Sequence, residues 1–241
     1  MGQMAHLFEG VRAVLFDLDG TLVETNIDFP LMKREMIALA AKYGIPAAEV
    51  EHLDILGVVD YVAARLDSSS NKAGARRARQ EAYEKLEQIE LAHSEDAVAI
   101  PGAAELLDAL RSLDIEIGVV TRNCRRAVEL SLSKAGISAD VLLTRDDVQN
   151  TKPHPDHLLQ ALELLGVEPH EAVMVGDHWM DILGGKAAGM RTVGFLRPGR
   201  PHDFFDREPL VLGNGLLCRA APDLVIRDLR ELLACVERLR R

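Results

Sequence analysis

The chain has 241 residues, of which 48% are hydrophobic and 4% aromatic, and its formal net charge is −10. This length and apolar content favour a folded core domain, alone or with a smaller inserted domain, over a disordered chain. The acidic charge disfavours nucleic-acid binding, which needs a basic surface that displaces counterions. No apolar run reaches the roughly 20 residues that span a bilayer, so we expect no membrane segment.

The cysteines and the first residues bear on the cellular compartment. Cys124, Cys218 and Cys235 are odd in number and widely separated, which disfavours a disulfide framework or a zinc site. The first ten residues lack a basic start followed by an apolar stretch, so they do not resemble a secretory signal. We therefore expect a cytoplasmic protein. The composition leaves a monomer and a homodimer equally open.

Short apolar runs alternate with helical patterns along most of the chain. Strands are predicted over residues 11–16, 115–121, 141–144, 172–176, 191–195 and 224–226. Helices are predicted from about residue 123, over 155–165 and 178–188, and near the carboxyl terminus. Residues 197–222, rich in Pro, Gly and Arg, are expected to be irregular. This alternation predicts an α/β domain, a Rossmann-like parallel sheet with helices on both faces.

Residues 26–98 do not follow this alternation of strands and helices, because apolar side chains recur there at helical spacing and no strand signal is visible. Three stripes indicate three helices: Met32, Met36, Leu39 and Tyr43; Ile55, Val59, Val62 and Leu66; and Ala75, Ala78, Ala82, Leu86 and Ile89. A polar loop before the third stripe can cap that helix. We therefore predict an all-helical domain over 26–98, inserted into a core domain of residues 1–25 and 99–241.

Two pairs of carboxylates follow predicted strands. Asp17 and Asp19 come after the first apolar run, and Asp177 and Asp181 come after the run that ends at Gly176. An acidic turn or a helix cap explains either pair alone but not both pairs, and ligands of open α/β sheets bind at the strands' carboxyl ends. Two like charges about 4 Å apart repel by roughly 4 kcal/mol at an effective dielectric near 20. Such a cluster requires a cation, and an all-oxygen site favours Mg²⁺.

Two further positions fit a phosphate group. Thr121, Arg122 and Asn123 lie between a predicted strand and a predicted helix, where a hydroxyl and backbone amides form an anion site. Ordinary capping of the helix by Thr121 or Asn123 explains this motif equally well. Lys152 lies in a loop flanked by prolines and is a candidate to neutralise a phosphate and the carboxylate of Asp17. A nucleophile, a metal, a cation and a proton donor together suit phosphate-ester hydrolysis.

These residues resemble the motifs of a known family. The chain is similar to the haloacid dehalogenase superfamily, whose four motifs correspond in order to Asp17-x-Asp19-Gly20-Thr21, Thr121, Lys152 and Gly176-Asp177-x-x-x-Asp181. The likeness covers nearly the whole core and is greatest to phosphoglycolate phosphatase-like members. The helical insert resembles the first-type cap domain of that superfamily.

The resemblance implies roles for the four carboxylates. Asp17 would form an aspartyl-phosphate intermediate, and Asp19 would protonate the leaving oxygen and then activate the hydrolytic water. Mg²⁺ would be held by the carboxylates of Asp17 and Asp177 and by the backbone carbonyl of Asp19. Asp181 would be a metal ligand through water or a support for the other ligands.

The resemblance also implies how a phosphoryl group would bind. Thr121 and Lys152 would hold it, helped by backbone amides near Leu18, Arg122 and Asn123. The implied partner is a small phosphorylated metabolite, with phosphoglycolate as the namesake substrate. The implied activity is Mg²⁺-dependent hydrolysis of a phosphate monoester.

Other activities of the superfamily are weighed against the same residues. Dehalogenases lack a second aspartate at the position of Asp19, because a halide needs no proton. A phosphonatase needs a cap lysine of lowered pKa, and we expect none of Lys33, Lys42, Lys72 and Lys85 to stand in an apolar setting. Sugar phosphomutases share every core motif and stay open as the alternative. Receiver domains also phosphorylate an aspartate, but they are far shorter and carry the acidic pair in a different order.

Overall fold

The computed structural model describes residues 7–197, 210–211, 217–218 and 220–239. The chain divides into two compact units, one of Met1–Thr25 with Asp96–Arg241 and the other of Asn26–Glu95. The sequence pattern places the end of the insert at residue 98. In the structure Val98 pairs with Glu24 and Ala99 with Val23, so this short antiparallel ladder belongs to the larger unit. The expectation that the insert contains no strand up to residue 98 is therefore wrong.

The larger unit is built on a parallel sheet. The strands in chain order are β1 (Ala13–Phe16), β2 (Val23–Glu24), β3 (Val98–Ala99), β4 (Glu116–Val120), β5 (Val141–Leu143), β6 (Ala172–Gly176), β7 (Arg191–Phe195), β8 (Leu210–Val211), β9 (Leu217–Cys218) and β10 (Leu224–Ile226). Six of them form a sheet in the order β10–β7–β6–β1–β4–β5. Val14 in β1 lies opposite Ile117 in β4 and Val173 in β6, in parallel register on both sides. This confirms the predicted Rossmann-like sheet.

Helices cover both faces of this sheet. The helices in chain order are α1 (Phe29–Lys42), α2 (Ile55–Ser68), α3 (Lys72–Ser94), α4 (Ala103–Arg111), α5 (Arg125–Ala135), α6 (Asp156–Leu165), α7 (Trp179–Ala188) and α8 (Leu229–Leu239), with single 3₁₀ turns at Ala47–Glu49 and Pro169–Glu171. Side chains alternate along β1, so Val14 and Phe16 pack with α4, α5 and α8. Ala13 and Leu15 point the other way and pack with α6 and α7.

Two parts of the larger unit differ from the expectations drawn from the sequence. The sequence pattern did not predict helix α4, although Leu106, Leu107 and Leu110 are fully buried on its inner side. Most of the stretch 197–222, expected to be irregular, lies outside the described residues, and within it β8 pairs antiparallel with β9. No helix in the described ranges is long and apolar enough to cross a membrane.

The smaller unit consists of α1, α2 and α3 around its own core. Met36, Val62 and Leu86, one from each predicted stripe, are fully buried in one cluster. Asn71 precedes α3 and its Oδ1 accepts a hydrogen bond from the backbone N–H of Gly74 at 2.9 Å. The polar loop thus caps the third helix as its composition suggested.

Lys33 in α1 departs from expectation. Burial lowers its pKa, although the nearby charges of Asp54 and Glu51 oppose the shift. Its ammonium donates to the carbonyl oxygen of Leu53 and, at 3.3 Å, to that of Val50. The expectation that no lysine of the insert has a lowered pKa is therefore wrong, because backbone carbonyls hold Lys33 in a partly desolvated position.

Candidate active site

Polar residues follow three neighbouring strands at one edge of the sheet. Asp17 follows β1, Thr121 follows β4 and Asp177 follows β6, and β1 lies between the other two strands. The backbone N–H of Asp17 donates to the carbonyl of Val175 at 2.9 Å, and that of Thr121 donates to Leu143 at 2.9 Å. Strand pairing therefore fixes both residues one step beyond the last strand positions. All of the carboxyl ends meet at this edge, where ligands of such sheets bind.

Three of the predicted metal ligands lie together at this edge. Asp17, Asp177 and Asp181 each offer a carboxylate oxygen, and these oxygens are within 4.8 Å of one another. Asp181 comes from the first turn of α7 and its Oδ2 accepts the backbone N–H of His178 at 3.1 Å. Hard oxygen ligands at this spacing fit Mg²⁺ better than a softer transition metal. Asp19, the fourth residue assigned to the metal, has different side-chain contacts.

The side chain of Lys152 joins two of these carboxylates. Its Nζ donates to Asp17 Oδ1 at 2.7 Å, to Asp181 Oδ1 at 2.6 Å and to the carbonyl of Val120 at 2.6 Å. Only 1% of the side chain is exposed, so three acceptors hold all three of its protons away from water. Burial alone would lower the pKa of Lys152, but the charges of Asp17 and Asp181 raise it above its usual value.

The pKa of the Asp17 carboxyl is raised toward neutral pH. Burial raises its pKa from 3.8 to about 6, the positive charge of Lys152 opposes this rise, and the negative charge of Asp181 adds to it. Near neutral pH, Asp17 is therefore largely ionised, with Lys152 as its counter-charge. A cation bound by the carboxylate cluster would favour the ionised form further.

Asp19 is oriented through both of its carboxylate oxygens. The hydroxyl of Thr25 donates to Oδ1, and the side-chain amide of Asn123 donates to Oδ2. Thr25 is buried, and the sequence patterns above do not single it out because it belongs to none of the four motifs. Asn123 was expected to act through its backbone amide, and the structure gives its side chain this second contact.

The segment Thr121 to Asn123 is a loop and not the start of a helix. Helix α5 begins at Arg125 with Cys124 as its N-cap residue, slightly later than the start expected near residue 123. Neither Thr121 nor Asn123 is therefore the N-cap, which removes the capping interpretation of this motif. The backbone N–H of Asn123 instead lies 3.3 Å from Thr121 Oγ1. Arg122, between them, is partly buried.

Gly20 brings the first and last motifs close together. Its φ is +84°, and a Cβ atom at this position would lie 2.1 Å from Asp177 Oδ2. Any larger residue would both strain the backbone and displace the carboxylate. The glycine is thus required by the close approach of the Asp17–Asp19 turn to Asp177.

The loop that carries Lys152 is held by a buried histidine. His157 Nδ1 accepts the backbone N–H of Lys152 at 3.3 Å. Burial, followed by the charges of Lys152 and Arg122, lowers the pKa of His157 to about 3, so its imidazole stays neutral. His157 belongs to none of the four motifs, and nothing in the sequence marks it as a contact of Lys152.

Comparison with known proteins identifies the family. A model of the family described as haloacid dehalogenase-like hydrolase matches residues 14–195. The chain belongs to this family. It is therefore a hydrolase of the haloacid dehalogenase family, and the resemblance drawn from the four motifs is confirmed.

Relatives and solved structures of this family cover almost the whole chain. The chain is 34% identical over 185 residues to pyrophosphatase PpaX of Bacillus cereus (strain AH820), which covers 76% of the chain and 82% of that protein. It is 31% identical over 232 residues to pyrophosphatase PpaX of Bacillus mycoides (strain KBAB4), covering 95% of the chain and 98% of that protein. A haloacid dehalogenase family hydrolase from Deinococcus radiodurans R1, solved with bound phosphate and sodium, is 26% identical with a TM-score of 0.58, over 95% of the chain and 96% of that structure.

Proposed function

We propose that this hydrolase is a Mg²⁺-dependent phosphatase of small phosphorylated metabolites, and that Asp17 forms an aspartyl-phosphate. The observation that carries this proposal is the contact of Lys152 Nζ with Asp17 Oδ1 at 2.7 Å, beside the cluster of three carboxylates. A buried ammonium placed against a nucleophilic carboxylate lowers the repulsion between that carboxylate and an incoming anionic phosphate. The relative from Deinococcus radiodurans was solved with bound phosphate, which supports a phosphate ligand for this hydrolase.

The chemistry would proceed in two displacements at phosphorus. In the first, an oxygen of Asp17 bonds to phosphorus while the bond from phosphorus to the leaving oxygen breaks. Asp19, held by Thr25 and Asn123, gives its proton to that oxygen. In the second, Asp19 takes a proton from water, whose oxygen attacks the phosphorus and releases Asp17 as a carboxylate.

The metal would be held by the clustered carboxylates. Asp17, Asp177 and Asp181 supply oxygens close enough to share one ion, and the backbone carbonyl of Asp19 is expected to join them. When bound, Mg²⁺ would offset the negative charge of these carboxylates and of the transferred phosphoryl group. Asp181 also accepts a hydrogen bond from Lys152, so it would contribute to holding both the metal and the ammonium.

The phosphoryl oxygens would be bound by the loop after β4 and by Lys152. The hydroxyl of Thr121 and the amide of Arg122 would donate to them, and the N–H of Asn123, which donates to Thr121 Oγ1, would hold that hydroxyl in place. Lys152 would keep its contact with Asp17 while its positive charge offsets that of the phosphate. These groups are donors or cations, as the charge of a phosphate requires.

Two compounds are the first candidate substrates to test. Inorganic pyrophosphate is the first candidate, because the two curated relatives at 34% and 31% identity are named pyrophosphatases. Phosphoglycolate is the second, from the motif resemblance. A departing phosphate is a weaker base than a departing alkoxide, so turnover of pyrophosphate would depend less on the proton from Asp19.

The proposal is tested by phosphate release from a substrate panel. Purified protein is assayed with pyrophosphate, phosphoglycolate, sugar phosphates and an aryl phosphate, with Mg²⁺ and with a chelator, and Asp17→Asn is the control. Mg²⁺-dependent release by the wild type, absent from the control, is expected. Equal release by both proteins on every substrate would overturn the proposal. Isomerisation of a sugar phosphate without phosphate release, in the presence of a bisphosphate primer, would establish the phosphomutase alternative instead.

A further inference from the structure

A buried arginine lies directly behind the loop after β4. Arg145 follows β5 and only 1% of its side chain is exposed. Its guanidinium NH1 donates to the carbonyl oxygen of Arg122 at 3.1 Å. Its own backbone N–H donates to the carbonyl oxygen of Asn123 at 3.2 Å. One residue therefore holds two carbonyl oxygens of the loop that is proposed to bind phosphate.

These two contacts fix the direction of two backbone amides. A trans peptide is planar, with its C=O and N–H pointing in opposite directions. The carbonyl of Arg122 shares a peptide unit with the N–H of Asn123, and the carbonyl of Asn123 shares one with the N–H of Cys124. Because Arg145 holds both oxygens, both N–H groups are directed away from it. The N–H of Asn123 accordingly donates to Thr121 Oγ1 at 3.3 Å, which leaves the proton of this hydroxyl, proposed for phosphate binding, to point elsewhere.

The position of Arg145 is itself fixed by its neighbours. Asp147 Oδ2 accepts the backbone N–H of Thr144 at 2.8 Å and its hydroxyl at 2.6 Å. The same oxygen accepts a guanidinium N–H of Arg125, at the start of α5, at 2.7 Å. The segment after β5, which carries Arg145, is thus tied to the helix that follows the loop.

The charge of Arg145 strengthens the effect of its geometry. A guanidinium stays protonated at any physiological pH, and hydrogen bonds from a charged donor are stronger than neutral ones. Asp146 Oδ1 lies 3.9 Å from Nε of Arg145, in a half-exposed side chain. The guanidinium donates to the carbonyl of Arg122, so it polarises that peptide and makes its N–H, which belongs to Asn123, a better donor.

We propose that Arg145 is a positioning residue of the phosphatase reaction. It holds the carbonyls of Arg122 and Asn123, so that the N–H of Asn123 keeps the Thr121 hydroxyl in place for the phosphoryl group. Its charge strengthens that N–H as a donor. Arg145 does not itself touch the substrate. This role rests on the proposed function, since it presumes that the loop after β4 binds phosphate.

The test measures binding of inorganic phosphate, the common product, by calorimetry in the presence of Mg²⁺. Arg145→Met removes the charge and the NH1 contact at similar size, and Arg145→Lys keeps a charged donor. Arg126→Met, an exposed arginine on the adjacent helix, is the matched control. Arg145→Met is expected to weaken phosphate binding about tenfold or more, as loss of a charge-assisted hydrogen bond implies. Arg145→Lys recovers part of this loss, and the control stays at wild-type affinity.

Mg²⁺ affinity distinguishes a positioning role of Arg145 from general damage to the site. Mg²⁺ affinity, measured without phosphate, is expected to stay unchanged in Arg145→Met, because the lost NH1 contact is to the carbonyl of Arg122 and not to a carboxylate of Asp17, Asp177 or Asp181. Wild-type phosphate affinity in this variant would overturn the role of Arg145 while leaving the proposed function intact. Equal loss of Mg²⁺ and phosphate binding would also overturn it, as would a lysine variant no better than the methionine one. A wild type that neither binds phosphate nor releases it would contradict the proposed function instead.

Two further variants can be compared if Arg145→Met does not fold. Arg145→Gln keeps a neutral donor at this position, and Arg145→Lys keeps a charged one. If Arg145→Met fails to fold, phosphate binding is expected to be weaker in the glutamine variant than in the lysine variant. Equal and wild-type-like affinity in these two would overturn the proposal.

Discussion

Nζ of Lys152 lies 2.7 Å from Oδ1 of Asp17, a residue 135 positions earlier in the chain. The ammonium is almost completely buried, and its other two contacts are Asp181 and the carbonyl of Val120. Removing one partner from a buried ion pair leaves an uncompensated charge and costs about 3–5 kcal/mol. Loss of Lys152 is therefore expected to affect both the stability of the protein and the ionisation of Asp17.

Lys152→Met is expected to reduce phosphate release at least about a hundredfold, since a positioned charge of this kind contributes roughly 3 kcal/mol. The acid limb of kcat/KM should move to higher pH, because Lys152 is the group that lowers the pKa of Asp17. Lys186→Met, which removes a half-exposed ion pair with Asp223, serves as the control for lysine loss. A pH profile of Lys152→Met that coincides with the wild type would show that the two residues are not coupled.

The raised pKa of Asp17 predicts how Mg²⁺ and pH act together. With a pKa of about 6, Asp17 binds a proton below that pH and cannot attack phosphorus, so activity should rise as pH increases through 6. Mg²⁺ and the proton compete for the same oxygens, so the acid limb should shift to lower pH as Mg²⁺ is raised. The measurement is kcat/KM against pH at a limiting and at a saturating Mg²⁺ concentration. An acid limb independent of Mg²⁺ would argue that Asp17 is not a metal ligand.

Gly20→Ala should disable the metal site. The added Cβ would lie 2.1 Å from Asp177 Oδ2, so this carboxylate has to move. Gly136→Ala is the matched control, because its φ is +66° and its Cβ would meet nothing within 4 Å. Both variants bear backbone strain of about 1–2 kcal/mol, seen as similar losses of thermal stability without metal. Only Gly20→Ala should lose Mg²⁺ affinity, measured by calorimetry, and equal Mg²⁺ affinity in both variants would refute the explanation.

Thr25→Val should impair proton transfer by Asp19. The valine keeps the size of the side chain but removes the hydroxyl that donates to Asp19 Oδ1. Turnover is expected to fall about tenfold for an alkyl phosphate, whose leaving oxygen needs a proton, and less for an aryl phosphate, whose leaving group is weakly basic. Thr25→Ser, which retains the hydroxyl, should stay near wild type. The same loss on both substrates would indicate that Thr25 does not act through Asp19.

The sheet could be read from the sequence, because its strands are short, apolar and closed by polar residues. The runs at Ala172–Gly176, Arg191–Phe195 and Leu224–Ile226 coincide with the observed strands to the residue. Fully buried parallel strands leave little choice of side chain, so their apolar runs are distinct. Helix α4 and the β2–β3 ladder were missed, since the ladder has two residues per strand and depends on pairing between Val23 and Ala99.

The site was predictable where a motif follows a strand and not where a contact is made at long range. The positions of Asp17, Thr121 and Asp177 follow from the strands that precede them. Asn123 instead contacts Asp19 across 104 positions, and no local pattern announces that contact. Arg145 was missed for the same reason, since its role depends on carbonyl groups of another loop.

The most direct test of the central claim is to trap the intermediate on Asp17. Wild-type protein is mixed with Mg²⁺ and the best substrate of the panel, quenched in acid within one turnover, digested and examined by mass spectrometry. The peptide that contains Asp17 is expected to carry one phosphoryl group on that residue, removable by hydroxylamine, and the Asp17→Asn protein should carry none. Full phosphate release by the wild type with this peptide unmodified at every quench time, or with the phosphoryl group on another residue, would contradict nucleophilic attack by Asp17.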